Sequence, residues 1–174
     1  GGKDSMSGTF KDVHVPPMLM AFGITTVDSN KVISTEFKNV NNYVYLVKHN
    51  HLAKYLPNIE ELKVNFNKVT EAINAGKIIS AYALGFGGLS EALAKMSFGN
   101  KIGYNVEVAE AELFDLSYGS ILVESNVELD FGTLIGKTSS EVIINGVEFN
   151  IDEMLEANTV KFEEIYKSKT DVKG

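Results

Sequence analysis

The chain has 174 residues, 44% of them apolar and 22% charged, with a formal net charge of −7 and no Cys. That length buries ~70% of the unfolded surface, enough for one core, and the missing thiols exclude disulfides, a Cys nucleophile and thiolate metal sites. All 16 basic residues are Lys, which excludes bidentate guanidinium recognition of phosphate or guanine. Residues 101–174 carry 15 acidic residues against 6 Lys, a field that repels nucleic acid and anionic membrane.

No stretch reaches the roughly 20 apolar residues of a membrane span and the start has no signal-peptide pattern, so a cytoplasmic location is the simplest fit. The chain begins Gly1-Gly2 without Met, as a tag scar or a piece of a longer polypeptide would. Residues 1–15 are polar, rich in Gly and Ser and without period, and read as a loop. Pro16-Pro17 introduces Met18-Leu19-Met20-Ala21-Phe22-Gly23-Ile24, a run of the length and composition of a buried strand. Val32-Ile33 and Tyr43–Val47 read as further strands. Asn58 is placed to cap a helix whose apolar residues Ile59, Leu62, Phe66, Val69 and Ile73 step by three and four along one face, and Gly76 stands where it stops.

Ile78–Leu84 reads as a strand. It runs into the glycine turn Gly85-Phe86-Gly87-Gly88 and then a helix with Leu89, Ala92, Leu93 and Met96 on one side, ended by Gly99. Tyr104–Val108 alternates like a strand, Ala109–Leu116 suits a short helix, and Ser120–Glu124 suits another strand. Glu141–Ile144 and Val147–Phe149 flank Asn145-Gly146, the dipeptide of a type I′ hairpin turn. Asp152 is the expected cap of a last helix over Ile151–Tyr166, and residues 169–174 are expected to fray. Strands adjacent in sequence, a hairpin and three or four helices indicate an α+β fold: a mixed sheet flanked by helices.

Two segments have the makings of an anion site. Gly85, Gly87 and Gly88 let a backbone approach a ligand at a helix N-terminus, where N–H groups point outward. The pattern fits neither the Walker loop nor the dinucleotide fingerprint, and a tight strand-to-helix turn is the simpler local reading. Gly1–Gly8 offers amides, the hydroxyls of Ser5 and Ser7 and the ammonium of Lys3, donors that suit a phosphate, although the same residues suit a disordered terminus. His49 and His51 face one side of an exposed strand end with no third ligand nearby, so no metal is expected there. Asp152, Glu153 and Glu156 match the dipole of a helix start more simply than they make an acid–base pair.

Three segments together resemble one family. Gly1-Gly2-Lys3-Asp4-Ser5-Met6-Ser7 is similar to the GGKDSMS segment of the large form of phosphoribosylformylglycinamidine synthase. Val15-Pro16-Pro17-Met18-Leu19 resembles the entry into that enzyme's last AIR-synthase-type C-terminal domain. Gly87-Gly88-Leu89, with Glu91–Gly99 and Ile102-Gly103, resembles its GGL…LAEMAFG helix. The match spans about residues 1–103, and the remaining third agrees in element order.

The resemblance implies an AIR-synthase C-terminal-domain-like fold over residues 16–168, with residues 1–15 as the loop arriving from a nucleotide-binding half outside the chain. It implies a cytoplasmic ligase of purine biosynthesis that uses ATP, Mg²⁺ and glutamine to convert formylglycinamide ribonucleotide into its amidine. The other domains of the polypeptide, including a glutaminase, would be its partners. The isolated chain would be inactive, bind no cofactor, and form a homodimer through the face its missing half would cover. Lys3, Ser5 and Ser7 would contact phosphate or substrate through their side chains, and Gly85, Gly87 and Gly88 through their backbone. One departure stands out. The family has an acidic residue directly before Gly-Gly-Leu, a magnesium ligand by position, and this chain has Phe86 there. The rival readings are another member of the superfamily (aminoimidazole ribonucleotide synthetase, selenophosphate synthetase or thiamine-monophosphate kinase) and a binding module without chemistry.

Overall fold

The computed structural model describes residues 2–5, 8–53 and 56–167. The chain divides into two compact units, Gly1–Val32 and Ile33–Gly174. The first is built of two antiparallel ribbons: β1 (Gly2–Ser5) pairs with β4 (Met18–Ala21), and β2 (Gly8–Phe10) pairs with β3 (Val13–Val15). The expected loop over residues 1–15 is therefore mostly strand. Lys11 supplies the turn of the second ribbon with φ 55°, and the first is closed by pairing across more than ten intervening residues, which no local pattern announces.

The expected buried strand at Met18–Ile24 is also corrected. Only Met18–Ala21 is strand, and Leu19 and Ile24 are 85% and 92% exposed. A two-stranded ribbon has no third strand or helix to cover a face. Val32-Ile33 forms no strand. Asp28 accepts a hydrogen bond from the Asn30 amide and starts a 3₁₀ turn at Ser29–Lys31, a local bond that competes with extended pairing.

The second unit is a seven-stranded mixed sheet. Its strands in chain order are β5 (Tyr43–Val47), β6 (Ile78–Ala83), β7 (Gly103–Val106), β8 (Ile121–Ser125), β9 (Thr133–Ser139), β10 (Val142–Ile144) and β11 (Val147–Phe149). In space they run β11-β10-β7-β9-β5-β8-β6, and only the β10–β7 pair is parallel. Helices cover both faces, because alternate side chains of each central strand point opposite ways. Val44, Leu46 and Leu122 join Leu89, Ala92, Leu93 and Met96 of α2 (Gly88–Phe98) in one core cluster. Tyr45, Val47 and Val123 join Val69 and Ala72 of α1 (Ile59–Asn74) in the other. A short α3 (Glu110–Leu113) follows β7, and α4 (Ile151–Ile165) docks Ile151 and Met154 against the first cluster. The α+β expectation, a mixed sheet flanked by helices, holds.

The helix ends follow local chemistry. Asn58 accepts the Glu61 amide at the start of α1, and Gly76 takes φ 69° just past its end. Asn145 and Gly146, at φ 52° and 79°, make the hairpin turn between β10 and β11. The cap of α4 is Asn150 rather than Asp152: its side chain accepts from the amides of Asp152 and Glu153, and Asp152 pairs instead with Lys101 at 2.7 Å. The tail 169–174 lies outside the described residues. No helix among the described residues is long and apolar enough to cross a membrane.

Candidate functional site

The glycine turn links the end of β6 to the head of α2. The Leu84 amide donates to the Ser120 carbonyl at 3.0 Å, tying the strand end to the segment before β8. Gly88 then takes φ +66°, where a Cβ would stand 2.9 Å from the carbonyl oxygens of Leu113 and Asp115. The positive φ and the close approach of the α3 segment both require glycine there. The Gly88 amide donates to the Gly85 carbonyl at 3.1 Å, and the Ser90 hydroxyl donates to the Gly87 carbonyl at 3.0 Å.

The turn has an anion of its own. Glu91 reaches back from the first turn of α2, and its Oε2 accepts the Gly87 amide at 2.7 Å. Its Oε1 accepts from Lys95 Nζ at 2.6 Å, one helical turn on. Those two bonds, the lysine's first, hold the Glu91 carboxyl below its ordinary pKa, and Glu91 raises that of Lys95. Gly85 and Gly87 leave room for this carboxylate: a Cβ on Gly87 would lie 2.6 Å from Glu91 Cβ, and one on Gly85 would lie 3.2 Å from Oε2. Glu91 is the residue that the sequence reading passed over, although an acidic side chain in the first turn after a glycine run is a legible sign of self-capping.

Gly85, Gly87 and Gly88 are thus brought together in one turn. Lys3 and Ser5 lie in β1 of the first unit, where the backbone alone is described, and Ser7 lies outside the described residues. Phe86 is 80% exposed at the tip of the turn, and so fills no space beside the glycines. The carboxylate nearest the turn, Glu91, is committed to an amide and an ammonium, so the turn does not present the ligand set of a magnesium ion. Among the described residues no group of three or more His, Asp or Glu is placed to hold a metal.

The histidine pair departs from the exposed strand end expected of it. His49 is buried; its Nε2 accepts the Asn58 amide at 3.2 Å, and its Nδ1 lies 3.1 Å from Glu61 Oε2. Because Nε2 accepts, the proton of the neutral ring sits on Nδ1, facing Glu61. Glu61 also accepts from the backbone and side chain of Asn50, bonds that lower its pKa. His49 is therefore the post that anchors the head of α1. A second unforeseen residue is Glu124 on β8, fully buried. Its carboxylate accepts from the amides of Lys38 and Asn39, Asn42 Nδ2 and Ser80 Oγ, at 2.7 to 3.1 Å. Four neutral donors satisfy the carboxylate and fold residues 38–42 over the sheet.

No family model matches the chain. It is 30% identical over 160 residues to phosphoribosylformylglycinamidine synthase subunit PurL of Picrophilus torridus, a match covering 76% of this chain and 21% of that protein. With the same subunit of Thermoplasma volcanium it shares 32% identity over 114 residues, 56% of this chain and 15% of that one. Among solved structures, PurLQS from Thermotoga maritima superposes with a TM-score of 0.63 at 13% identity, over 74% of this chain and 28% of that chain. T. maritima PurL complexed with FGAR superposes with a TM-score of 0.56 at 12% identity, over 72% and 30%. The chain spans about a fifth of the length of the P. torridus relative. Fold and sequence agree on the same protein: this chain carries a PurL-like domain, with the α+β architecture of the AIR-synthase type.

Proposed function

We propose that this chain serves as one domain of a PurL-type synthase, which amidinates formylglycinamide ribonucleotide (FGAR) in purine biosynthesis. The observation that carries the reading is the 30% identity over 160 residues with subunit PurL of P. torridus. The overall chemistry phosphorylates the substrate's amide oxygen with ATP, and ammonia then displaces phosphate from the iminophosphate. The ammonia comes from glutamine at a glutaminase partner, and ATP and Mg²⁺ are gripped by a nucleotide-binding half outside this chain. Such a reaction is catalysed mainly by positioning and charge neutralisation.

A chain without Arg contributes to this with amides, hydroxyls and Lys. Lys3, Ser5 and Ser7 are our candidates for phosphate or substrate contact. Gly85, Gly87 and Gly88 are candidates for backbone contact, with Glu91 as the internal anion that an incoming phosphate would displace. The enzyme works in the cytoplasm, and the isolated chain is catalytically silent and pairs with a second copy.

The test compares the 174-residue chain with a longer polypeptide that contains it, scoring FGAR-dependent ADP release with ammonium as nitrogen donor. The longer protein is expected to turn over and the isolated chain to match a no-enzyme control. Turnover by the isolated chain, or none by the longer protein, overturns the reading. Lys3→Ala in the longer protein is expected to raise KM for FGAR or ATP at unchanged melting temperature, and unchanged kinetics remove Lys3 from the site. The pairing of isolated chains is read by sedimentation at rising concentration, where strict monomers refute it.

A further inference from the structure

The body of the domain covers only the first part of the apolar face of α4. Ile151, Met154, Leu155, Phe162 and Ile165 fall on one side of that helix. Ile151 and Met154 dock against the core cluster under α2, whereas Phe162 is 64% and Ile165 87% exposed. At Met154 the same face opens into a groove of about 540 Å³, lined also by Phe114, Ile144, Val147 and Phe149, and Phe114 there is 72% exposed. Contiguous exposed apolar surface with a polar rim marks a protein-interaction site.

Charge selects the partner. α4 holds Asp152, Glu153, Glu156, Glu163 and Glu164 against Lys161 alone. Glu110 lines the groove and Glu107 the hollow beyond Asn145, and no Lys lines either. A second copy would set one acidic α4 against another, and nucleic acid or an anionic membrane would meet the same repulsion. A cationic partner is attracted and oriented by it. The backbone selects the partner's conformation. β11, the outer strand on this side, has three residues. Ile144 and Val147 close a two-residue turn as a hydrogen-bonded pair, which leaves Glu148 as the one residue of β11 with N–H and C=O turned outward. That ladder is too short for an added strand. The apolar stripe instead has a helical repeat, and the 15 residues of α4 extend about 22 Å, the length of a second helix of about four turns.

We infer that α4 and the adjoining groove form a docking surface for a basic amphipathic helix of a partner protein. Its apolar side chains lie along Met154, Phe162 and Ile165 and enter the groove beside Phe114, and its cations meet Glu110 and the carboxylates of α4. The pairing of isolated chains proposed above uses a different surface.

The experiment titrates the ¹⁵N-labelled 174-residue chain with three synthetic peptides of about 14 residues, four helical turns each. One is an amphipathic helix of Leu and Lys, one has the same pattern with Glu for Lys, and one has the Leu and Lys shuffled so that no stripe remains. The first is expected to give saturable amide shifts at Phe114, Phe149, Met154 and Phe162, and to bind several-fold more tightly than the other two. Phe162→Ser, at an exposed side chain, is expected to keep the parent's melting temperature and weaken that binding several-fold. The pair Glu110→Lys and Glu156→Lys is expected to do the same. Absence of saturable shifts, shifts centred on other residues, equal affinity for the shuffled or Glu-bearing peptide, or affinity unmoved by these variants overturns the inference. Sedimentation tests the second copy as occupant: self-association abolished by Phe162→Ser makes this face a homodimer contact and overturns it as well.

Discussion

The carboxylate of Glu91 closes the turn it follows: Oε2 stands 2.7 Å from the amide nitrogen of Gly87 and occupies that donor from within the chain. The bond joins a charge to a backbone donor four residues earlier, and Lys95 neutralises its other oxygen. Glu91→Gln keeps the shape and removes the charge. It is expected to cost about 1 kcal/mol at neutral pH, from a weakened helix-end bond and a lost i,i+4 ion pair. Because the folded carboxyl titrates below its ordinary value of 4.5, that stabilisation is complete above pH 4.5. It fades as pH falls through the depressed value. Urea titrations of both proteins between pH 3 and 7 are expected to converge at the acid end, and a gap constant in pH refutes the assignment.

Gly88 and Gly85 sit three residues apart and answer differently to the same methyl group. Gly88→Ala forces a side chain into positive φ and against two carbonyl oxygens at 2.9 Å, and is expected to cost at least ~2 kcal/mol. Gly85→Ala meets only the flexible end of Glu91 at 3.2 Å and is expected to cost less than half as much. Thermal melts of the two variants measure the contrast, and equal losses would show that the turn is looser than described.

Glu124 is expected to be the most sensitive polar position in the second unit. Glu124→Gln turns one acceptor oxygen into a donor facing either the Lys38 amide and the Ser80 hydroxyl or the Asn39 amide and Asn42 Nδ2, leaving a donor unpaired at roughly 2–3 kcal/mol. Hydrogen exchange is expected to speed up at Lys38 and Asn39 in that variant. A melting temperature within a degree of the parent's would contradict the account.

Gly136 lies in β9, where a Cβ would stand 2.0 Å from the Asn105 carbonyl oxygen on β7. The backbone cannot yield there without losing the β7–β9 ladder. Gly136→Ala is therefore expected to prevent a sharp unfolding transition, measured by circular dichroism against Gly23→Ala, where nothing lies within 4 Å of a built Cβ.

These residues also mark how far the amino-acid sequence could be read. Periodicity found α1 and α2, Asn58 and Gly76 marked the ends of α1, and Asn145-Gly146 announced the hairpin, because each of those signals is local. β9 escaped because Thr133–Ser139 mixes Gly, Lys and Thr with a single buried apolar residue, Ile135. Its place is set by partners on both sides rather than by its own composition. β1 escaped because its one partner is distant in sequence, whereas β4 was legible as the start of the apolar run Met18–Ile24 and only its length and burial were overstated. At the glycine turn the sequence showed the freedom of the backbone but not the carboxylate that uses it, since Glu91 reads equally well as one more polar residue on a helix.

The place of β9 has a consequence for the order in which this protein is made. Its neighbour β5 ends at Val47, and both of that strand's partners come much later, β8 at Ile121–Ser125 and β9 at Thr133–Ser139. At the usual pace of synthesis the roughly 90 residues between Val47 and Ser139 take about 5–20 s to emerge. Until β8 emerges the buried strand β5 has two open edges, and until β9 follows one of them stays open. The ribosome thus releases a long-lived sticky intermediate, and nascent-chain chaperones that shield single strands should matter more to the yield of this domain than its final stability does.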